Sequence, residues 1–243
     1  MNKTQIIILA AGQGKRLLPL TKNLPKTMLK VGGIPIIHHI FNSINLKSIN
    51  EILIVVGHSK DVIMNYLKND YKGIPIKYLF NPKYNETNSL YSLWLAKKIL
   101  KEKIAIINAD TIFHKKILEN LLNSEYEAAL AIDDTISSPL PEEAMKATII
   151  KNKIVDVSKT IPSEKTNGDA IGIYKFSGES LKILINELDR LISSSATKQL
   201  FTYAVRNILN KTDIFSVSTE GKAWIEVDDQ NDLDAAQNLI KKI

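Results

Sequence analysis

The chain has 243 residues, of which 44% are hydrophobic and 24% are charged, and this length suits one compact α/β domain spanning residues 1–243. Cysteine is absent, which excludes a disulfide framework and a cysteine zinc site, and no apolar run approaches the ~20 residues of a membrane helix. The net charge of +6 comes from lysines scattered along the chain rather than clustered with aromatic residues, so the pattern favours a solvated basic surface over nucleic-acid binding.

Residues 6–17 predict a buried strand that opens into an anion-binding loop. The run of β-branched residues is typical of a strand that is buried on both faces, and it ends in small residues and two glycines. Gly12 and Gly14 permit positive φ angles and let backbone N–H groups come close to an anion. Arg16 and Lys26 add a fixed and a flexible positive charge, so the stretch is directed at phosphate.

Two common phosphate-binding motifs do not fit this loop. A dinucleotide-binding turn needs a third glycine at the position of Leu17. A P-loop needs Gly-Lys-Ser/Thr, whereas the chain reads Gly14-Lys15-Arg16. The loop therefore belongs to another class of phosphate-binding sequence, and a nicotinamide dehydrogenase is excluded.

Strands and helices alternate along the rest of the chain. Apolar runs predict strands over residues 51–57, 76–80, 103–113, 128–133, 167–176 and 214–218. Helical spacing of apolar residues predicts helices over 34–46, 61–69, 115–122, 179–193, 201–209 and 233–240, and a further helix that Thr87 or Asn88 caps. A hairpin over 145–150 and 153–158 follows a loop at 134–144. The alternation predicts a single Rossmann-like α/β domain with three layers, α/β/α, around a mostly parallel central sheet.

Three carboxylates stand where a metal ion is expected. Asp110 lies where a buried strand leaves the sheet, and an unpaired carboxylate there must meet a cation or water. Capping of the 115–122 helix is the alternative role, but His114 lies closer to the start of that helix. Glu226 and Asp228 alternate on one side of an extended carboxyl-terminal segment, where they repel each other unless a cation joins them.

The ordered motifs together resemble one enzyme family. Residues 9–21, read with Pro25-Lys26, are similar to the signature L-A-A-G-x-G-x-R-L-x-P-L-T followed by P-K of the nucleoside-diphosphate-sugar pyrophosphorylase-like nucleotidyltransferases. Residues 86–92 look like the asparagine and serine loop of bacterial choline-phosphate cytidylyltransferases, with helix capping alone as the alternative. Residues 224–228 resemble the W-x-E-I-D terminus of the same enzymes. The resemblance covers essentially the whole chain.

This resemblance implies a nucleotidyltransferase reaction. A phosphorylated acceptor attacks the α-phosphorus of a nucleoside triphosphate in line and releases pyrophosphate. Mg²⁺ is the implied cofactor, and its ligands would be Asp110 and Asp228 with help from Glu226. The implied catalytic residues are Arg16, which would neutralise the leaving pyrophosphate, Lys26, which would hold the acceptor phosphate or the α-phosphate, and Asp110.

The resemblance also implies two groups of binding residues. The nucleotide-binding residues would be Leu9, Ala10, Ala11, Gly12, Gly14, Gly57, Asn88 and Ser89. The acceptor-binding candidates are Lys146, Asp169 and Tyr174. For Lys146, a solvated lysine at a strand edge is the alternative. The predicted hairpin is then expected to form a small insertion over the acceptor site.

The nucleotide is expected to be CTP, because the 86–92 loop and the Glu226–Asp228 pair look more like choline-phosphate-type cytidylyltransferases than like uridylyl- or thymidylyltransferases. The acceptor is left open among phosphocholine, a related amino-alcohol phosphate or phosphonate, and a sugar or polyol phosphate. The alternatives are a sugar-1-phosphate uridylyl- or thymidylyltransferase and a non-catalytic nucleotide-sensing subunit, and the retained charged residues argue against the second. Neither nucleic acid nor a membrane is expected as a partner, homodimer formation is left open, and a start without a secretory signal predicts the cytoplasm.

Overall fold

Ten strands form one continuous sheet in the computed structural model, which describes residues 3–136 and 139–242 of the chain. The strands of the described residues are β1 (Thr4–Ala10), β2 (Lys30–Val31), β3 (Ile34–Pro35), β4 (Ile49–Val56), β5 (Asp70–Tyr71), β6 (Ile74–Phe80), β7 (Lys103–Asn108), β8 (Thr111–Phe113), β9 (Ala128–Asp133), β10 (Lys146–Ile150), β11 (Lys153–Val157), β12 (Gly168–Ser177), β13 (Phe215–Ser218) and β14 (Trp224–Glu226). The helices are α1 (Ile36–Asn42), α2 (Lys60–Leu67), α3 (Ser89–Ala96), α4 (Lys115–Asn123), α5 (Gly178–Ser193), α6 (Phe201–Asn207) and α7 (Gln230–Leu239).

The central sheet has the strand order β10-β11-β13-β9-β12-β7-β1-β4-β6-β5, and β10 also pairs with β12. The strands β7, β1, β4 and β6 run parallel to one another, as do β9 and β13. Strand β12 runs antiparallel between β7 and β9. The predicted α/β class with a mostly parallel sheet is confirmed.

Apolar residues cover both faces of this sheet, which is why its strands lack a polar side. Along β1, Ile6 and Ile8 point into one buried cluster that contains α1, α2 and α4, and Ile7 points into a second cluster that contains α3, α5 and α6. Successive side chains of a strand face opposite sides, so each face is covered by its own helices. This gives the three predicted layers.

The predicted 103–113 strand is divided in the structure. Strand β7 ends at Asn108, and β8 pairs antiparallel with β14 in a separate two-stranded sheet. Ala109 and Asp110 lie at the break, so Asp110 stands at the end of the central sheet beside a second strand pair. The apolar pattern continues through the break because Ile112 and Phe113 are buried in the second sheet as well.

The predicted 145–158 hairpin is present as β10 and β11, but it belongs to the central sheet. Its strands pair with β12 and β13, respectively. The helix predicted over 34–46 is shorter, because Pro35 precedes the first helical residue and α1 ends at Asn42. Ser137 and Ser138 of the predicted 134–144 loop lie outside the described residues. Within the described ranges, no helix combines the length and the apolar character that a membrane crossing requires.

Candidate active site

The loop after β1 has the shape that an anion-binding backbone needs. Gly14 has a φ of 63° and a Cβ added to it would lie 2.9 Å from Lys26 Cβ, so only glycine fits there without strain. Thr21 Oγ1 donates to the Gly14 carbonyl at 2.8 Å and holds the turn. A Cβ added to Gly12 would meet no atom within 4 Å, so this part of the backbone faces open space.

Two adjoining cavities of about 240 and 290 Å³ lie over this loop. They share lining residues, which are Leu9, Gly12, Arg16, Ala109, Asp110 and Asp228. The first cavity extends from Ala11 to the start of α3 and to Tyr174, and the second is lined by Ala10, Gly14 and Lys26. Arg16, Asp110 and Asp228 therefore lie where the two cavities meet, with Glu226 on the first cavity and Lys26 on the second.

The three predicted metal ligands converge at this junction. Glu226 at the end of β14 lies opposite Thr111 of β8, and the N–H of Val227 donates to the Asp110 carbonyl at 3.0 Å. The carboxylate oxygens of Asp110, Glu226 and Asp228 lie within 4.8 Å of one another. The break after β7 and the short β8–β14 sheet thus bring together acids that are far apart in the chain.

Two basic side chains lie against these acids. Lys26 Nζ donates to Asp110 Oδ2 at 2.6 Å and to Asp228 Oδ1 at 2.7 Å. Arg16 Nη2 lies 2.6 Å from Asp228 Oδ2. Asp110 Oδ1 is buried and has no hydrogen-bond partner among the described residues. A set of carboxylate oxygens with one buried oxygen left unpaired fits a hard divalent cation such as Mg²⁺.

The charges of the cluster shift one another's protonation. Burial, together with the nearby Asp110 and Asp228, raises the pKa of Glu226 to about 8. Burial also opposes ionisation of Asp228, but Lys26 and Arg16 outweigh it and hold the pKa of Asp228 below its ordinary value. Burial lowers the pKa of Lys26, and the two aspartates more than reverse this, so its pKa is raised. Ionisation of the third carboxylate, Glu226, is therefore unfavourable in this cluster. A further positive charge at the site would stabilise the ionised form.

The predicted nucleotide-binding residues of the α3 region lie on the first cavity. Asn88 is the N-cap of α3 and its side chain accepts from the N–H of Ser89 at 2.8 Å. Ser89 Oγ in turn accepts from the N–H of Phe201 at 3.0 Å, which ties α3 to α6. Both Asn88 and Ser89 line the cavity. Asn88 therefore caps α3 and also lines the cavity, so helix capping and a position facing a ligand do not exclude each other.

The other predicted nucleotide-binding residues separate into two groups. Residues of the glycine loop line one or both cavities, namely Leu9, Ala10, Ala11, Gly12 and Gly14. Gly57 lines neither cavity and packs against the loop from behind. We therefore assign Gly57 to packing against the glycine loop rather than to contact with the nucleotide.

Of the three acceptor candidates, the structure places only Tyr174 on a cavity wall. Its ring packs edge-on against Phe201 at 4.5 Å between centroids, its hydroxyl lies 3.3 Å from Thr202 Oγ1, and burial raises its pKa. Lys146 and Asp169 line neither cavity. Lys146 Nζ donates to the carbonyls of Lys159 at 3.1 Å and Glu142 at 3.4 Å.

Asp169 is buried next to Asp133 on the neighbouring strand. Burial and the charge of Asp133 raise the pKa of Asp169 to about 6, although the N–H of Met145 donates to its carboxylate. The position of Asp169 is that of a buried acid behind the cavity wall rather than on it.

Several residues of the first cavity were not predicted from the sequence, and Lys159 and Asn81 are two polar examples. Lys159 lines the first cavity, and its Nζ lies 3.0 Å from Glu143 Oε2, which is also 3.7 Å from Arg16 Nη1. Asn81 is buried below the α3 loop and donates to Ser92 Oγ at 3.1 Å. Lys159 follows β11 in a stretch without any motif, whereas Asn81 directly after a buried strand carried a usable signal.

Several known proteins are similar to this chain. GlmU, a bifunctional protein of Methanococcus aeolicus, is 30% identical over 98% of this chain, which spans only 54% of that protein. The CTP:phosphoglutamine cytidylyltransferase of Campylobacter jejuni is 30% identical, and the alignment covers 94% of this chain and 97% of that protein. The choline-phosphate cytidylyltransferase of Streptococcus pneumoniae is 27% identical, with 97% of each chain covered.

A solved structure described as the inositol-1-phosphate CTP transferase from T. maritima matches with a TM-score of 0.83 over 99% of this chain and 96% of that one. The sequence identity is 21%, so this likeness shows the fold alone. The sequence model of the family described as nucleotidyl transferase matches residues 5–242. Because that match takes in nearly the whole chain, including the glycine loop and all three converging carboxylates, this chain belongs to the nucleotidyl transferase family.

Proposed function

We propose that this nucleotidyltransferase transfers CMP from CTP to a small phosphorylated acceptor and releases pyrophosphate. The observation that carries the proposal is the position of Arg16, Lys26 and the carboxylate cluster at the junction of two cavities. The second cavity can hold the triphosphate of the nucleotide, while the first cavity can hold the nucleoside and the acceptor. The preference for CTP is supported by relatives that are named as cytidylyltransferases.

The second cavity suits the triphosphate. Gly12 and Gly14 offer backbone N–H groups there, and Arg16 and Lys26 offer positive charge. Phosphoryl transfer is catalysed mainly by positioning and by neutralising charge on the phosphoryl oxygens. Arg16 is assigned to the leaving pyrophosphate, and Lys26 is assigned to the α-phosphate or the acceptor phosphate.

The first cavity suits the nucleoside and the acceptor. Asn88 and Ser89 at the start of α3 are assigned to the nucleoside, and Tyr174 is assigned to the body of the acceptor. Lys159 adds a cation to the same cavity and is paired with the exposed Glu143. We assign Lys159 to the acceptor phosphate, because a phosphate dianion is a better partner for it than an exposed carboxylate.

Asp110, Glu226 and Asp228 would hold Mg²⁺. When bound there, the ion would supply Lewis-acid charge stabilisation to phosphoryl oxygens. The protein's own part is to fix the three carboxylates through the β8–β14 pairing and to keep them in a half-buried site. A cytoplasmic location is a prediction from the sequence, which leaves homodimer formation open.

The proposal is tested by measuring pyrophosphate release with CTP, UTP, dTTP, ATP and GTP, each with a panel of acceptor phosphates. The panel contains phosphocholine, other amino-alcohol phosphates and phosphonates, and sugar or polyol phosphates. CTP is expected to be preferred, with a CMP-linked product formed in the same amount as pyrophosphate. The Asp110→Ala protein, purified in the same way, controls for contaminating activity.

Two outcomes would contradict the proposal. A preference of at least tenfold for UTP or dTTP, which is ~1.4 kcal/mol of discrimination, would replace the cytidylyl assignment by a uridylyl or thymidylyl one. Absence of pyrophosphate release with every pair would exclude transfer to these acceptors and favour a nucleotide-sensing role.

A further inference from the structure

Both carboxylate oxygens of Asp228 are already occupied by cations of the chain itself. Asp228 Oδ1 accepts from Lys26 Nζ at 2.7 Å, and Asp228 Oδ2 lies 2.6 Å from Arg16 Nη2. Lys26 also donates to Asp110 Oδ2 at 2.6 Å. A divalent cation that uses all three carboxylates of the cluster must therefore displace one of these contacts or share an Asp228 oxygen with it.

Lys26 is the stronger obstacle of the two basic residues. Its side chain is 16% exposed and contacts two of the three carboxylates, whereas the side chain of Arg16 is 51% exposed and contacts only Asp228 within the cluster. An ammonium that is held by two half-buried carboxylates serves as their counter-charge. A metal ion and this ammonium then compete for the same oxygens.

Nucleotide phosphates offer Lys26 another set of acceptors. Lys26 lines the second cavity together with Gly12 and Gly14, where the triphosphate is assigned. Phosphate oxygens in that cavity would draw the flexible ammonium away from Asp110 and Asp228. The two aspartates would then be left without their internal cation and would have high affinity for an external one.

Building on the proposed function, we propose that Lys26 occupies the metal site of the free protein as an internal cation. Its displacement by the phosphates of the nucleotide opens the site, so the metal enters with the nucleotide and not before it. Lys26 thus couples metal binding to nucleotide binding, in addition to its contact with the reacting phosphates.

The test is Mn²⁺ binding to the protein without any nucleotide, measured by electron paramagnetic resonance of the free ion. The Lys26→Met variant keeps the length of the side chain and removes its charge, and it is expected to bind Mn²⁺ roughly tenfold more tightly than the wild type, or more. Lys26→Arg keeps the charge and is expected to bind as weakly as the wild type. Lys15→Met is the matched control, because Lys15 lines the same cavity and makes no ion pair with the cluster.

Removal of Lys26 leaves Asp110 and Asp228 facing each other, so stability is followed in parallel by thermal unfolding with and without Mg²⁺. An ion that binds only the folded state raises the melting temperature. Mg²⁺ is expected to raise the melting temperature of Lys26→Met more than that of the wild type. If Lys26→Met folds only when Mg²⁺ is added, that rescue supports the proposal, and failure of Mg²⁺ to rescue it contradicts the proposal.

Equal Mn²⁺ affinity of wild-type and Lys26→Met protein would also overturn it. That result would leave the proposed function standing, because pyrophosphate release by the wild-type protein tests the reaction separately. Conversely, tighter Mn²⁺ binding by Lys26→Met would stand even if the preferred triphosphate were not CTP.

Discussion

Gly57 lies directly behind Ala11 of the glycine loop: a Cβ added to Gly57 would stand 2.4 Å from the Ala11 carbonyl oxygen and 2.6 Å from Tyr84 Cβ. The same carbonyl accepts from the N–H of His58 at 3.2 Å. The end of β4 therefore packs closely against the loop and against Tyr84, which lines the first cavity together with Ala11. This close contact explains why position 57 requires glycine although Gly57 lines neither cavity.

We expect Gly57→Ala to destabilise the protein and to weaken nucleotide binding. The added methyl group must push back either the Ala11 carbonyl or Tyr84, and overpacking of this kind costs about 1–3 kcal/mol. Movement of Ala11 would also displace the backbone that faces the nucleotide. Urea unfolding gives the change in the free energy of unfolding, and nucleotide titration gives the change in affinity.

Gly12→Ala is the matched control for this substitution. Its methyl group meets no atom within 4 Å and enters the cavity, so nucleotide binding should weaken while stability changes by no more than ~0.5 kcal/mol. If Gly57→Ala is as stable as the wild type, the support that we assign to Gly57 is wrong.

Asp110→Ala and Asp228→Ala should each abolish pyrophosphate release while the protein remains folded. Loss of one carboxylate from a divalent-cation site removes several kcal/mol of charge stabilisation in the transition state. It also relieves repulsion within the cluster, and Lys26 keeps the other aspartate as a partner. Activity and circular dichroism are measured together.

Asp61→Ala is the control for loss of a carboxylate, because Asp61 is exposed and pairs only with the adjacent Lys60 among the described residues. It should retain wild-type activity. A cluster variant that is inactive and also lacks a cooperative unfolding transition would mean that the aspartate is needed for folding, and the catalytic assignment would lose its support.

Local features of the sequence predict that Asp110, Glu226 and Asp228 need a cation, and the family resemblance implied that they share one. An acid that closes an apolar strand and two acids with a two-residue repeat each call for a cation. Their position together depends on the β8–β14 sheet, and local periodicity does not reveal strand partners. The resemblance therefore supplied the common ligand set, while the break after Asn108 became visible only in the structure.

The acceptor side was less predictable. Lys146 and Lys159 are both lysines near the hairpin, and nothing in their neighbours tells which ammonium reaches a cavity. Which lysine lines the cavity depends on the turn after β11, where the Lys159 carbonyl accepts from Lys146 Nζ. Such a contact is set by tertiary packing and has no periodic signal in the chain.

Arg16→Ala should mainly weaken nucleotide use. Arg16 follows the glycine loop directly, lines both cavities and is half exposed, so it can meet the pyrophosphate end of the nucleotide. Arg16→Lys should rescue little, because only a guanidinium offers a planar fork to two phosphate oxygens. Titration of CTP binding and of the Michaelis constant for CTP measures this effect.

Lys26→Ala should instead lower the rate of the chemical step, by roughly 10²–10³, which is the usual effect of losing one preorganised electrostatic donor. Lys26 lies against the carboxylate cluster rather than at the cavity mouth. Single-turnover rates at saturating CTP measure it. If Lys26→Ala binds CTP poorly and yet reacts at the normal rate once saturated, the role of Lys26 in the reacting centre is wrong.

Lys159→Met is expected to impair acceptor binding, whereas Lys146→Met is expected to lower the stability of the protein. Lys159 lines the first cavity, so its loss should raise the Michaelis constant for the acceptor with little change for CTP. Lys146 holds two backbone carbonyls, so Lys146→Met should lower stability and affect the acceptor only through Lys159. Lys146→Arg should restore stability. A larger acceptor effect from Lys146 than from Lys159 would favour direct contact by Lys146.

The stability of the protein should decrease as the pH rises through the titration of Asp169. Burial and the Asp133 carboxylate raise the pKa of Asp169 to about 6 in the folded protein, although Lys159 and Lys146 partly oppose the rise. The unfolded chain has an ordinary carboxyl pKa of ~3.9. The folded state thus holds the proton more tightly than the unfolded state does. The contribution of Asp169 to the free energy of unfolding is therefore most favourable below about pH 4, and it is lost as the pH rises through about 6.

Asp169→Asn should remove this dependence, because the amide stays neutral and its oxygen can still accept from the N–H of Met145. Well above pH 6 the variant should be more stable than the wild type, by roughly 3 kcal/mol, and near pH 4 the two should be nearly equal. Urea unfolding at a series of pH values measures both curves, with the exposed Asp61→Asn as the control. Parallel curves for Asp169→Asn and wild-type protein would show that the Asp169 carboxyl is not the group whose burial opposes folding at neutral pH.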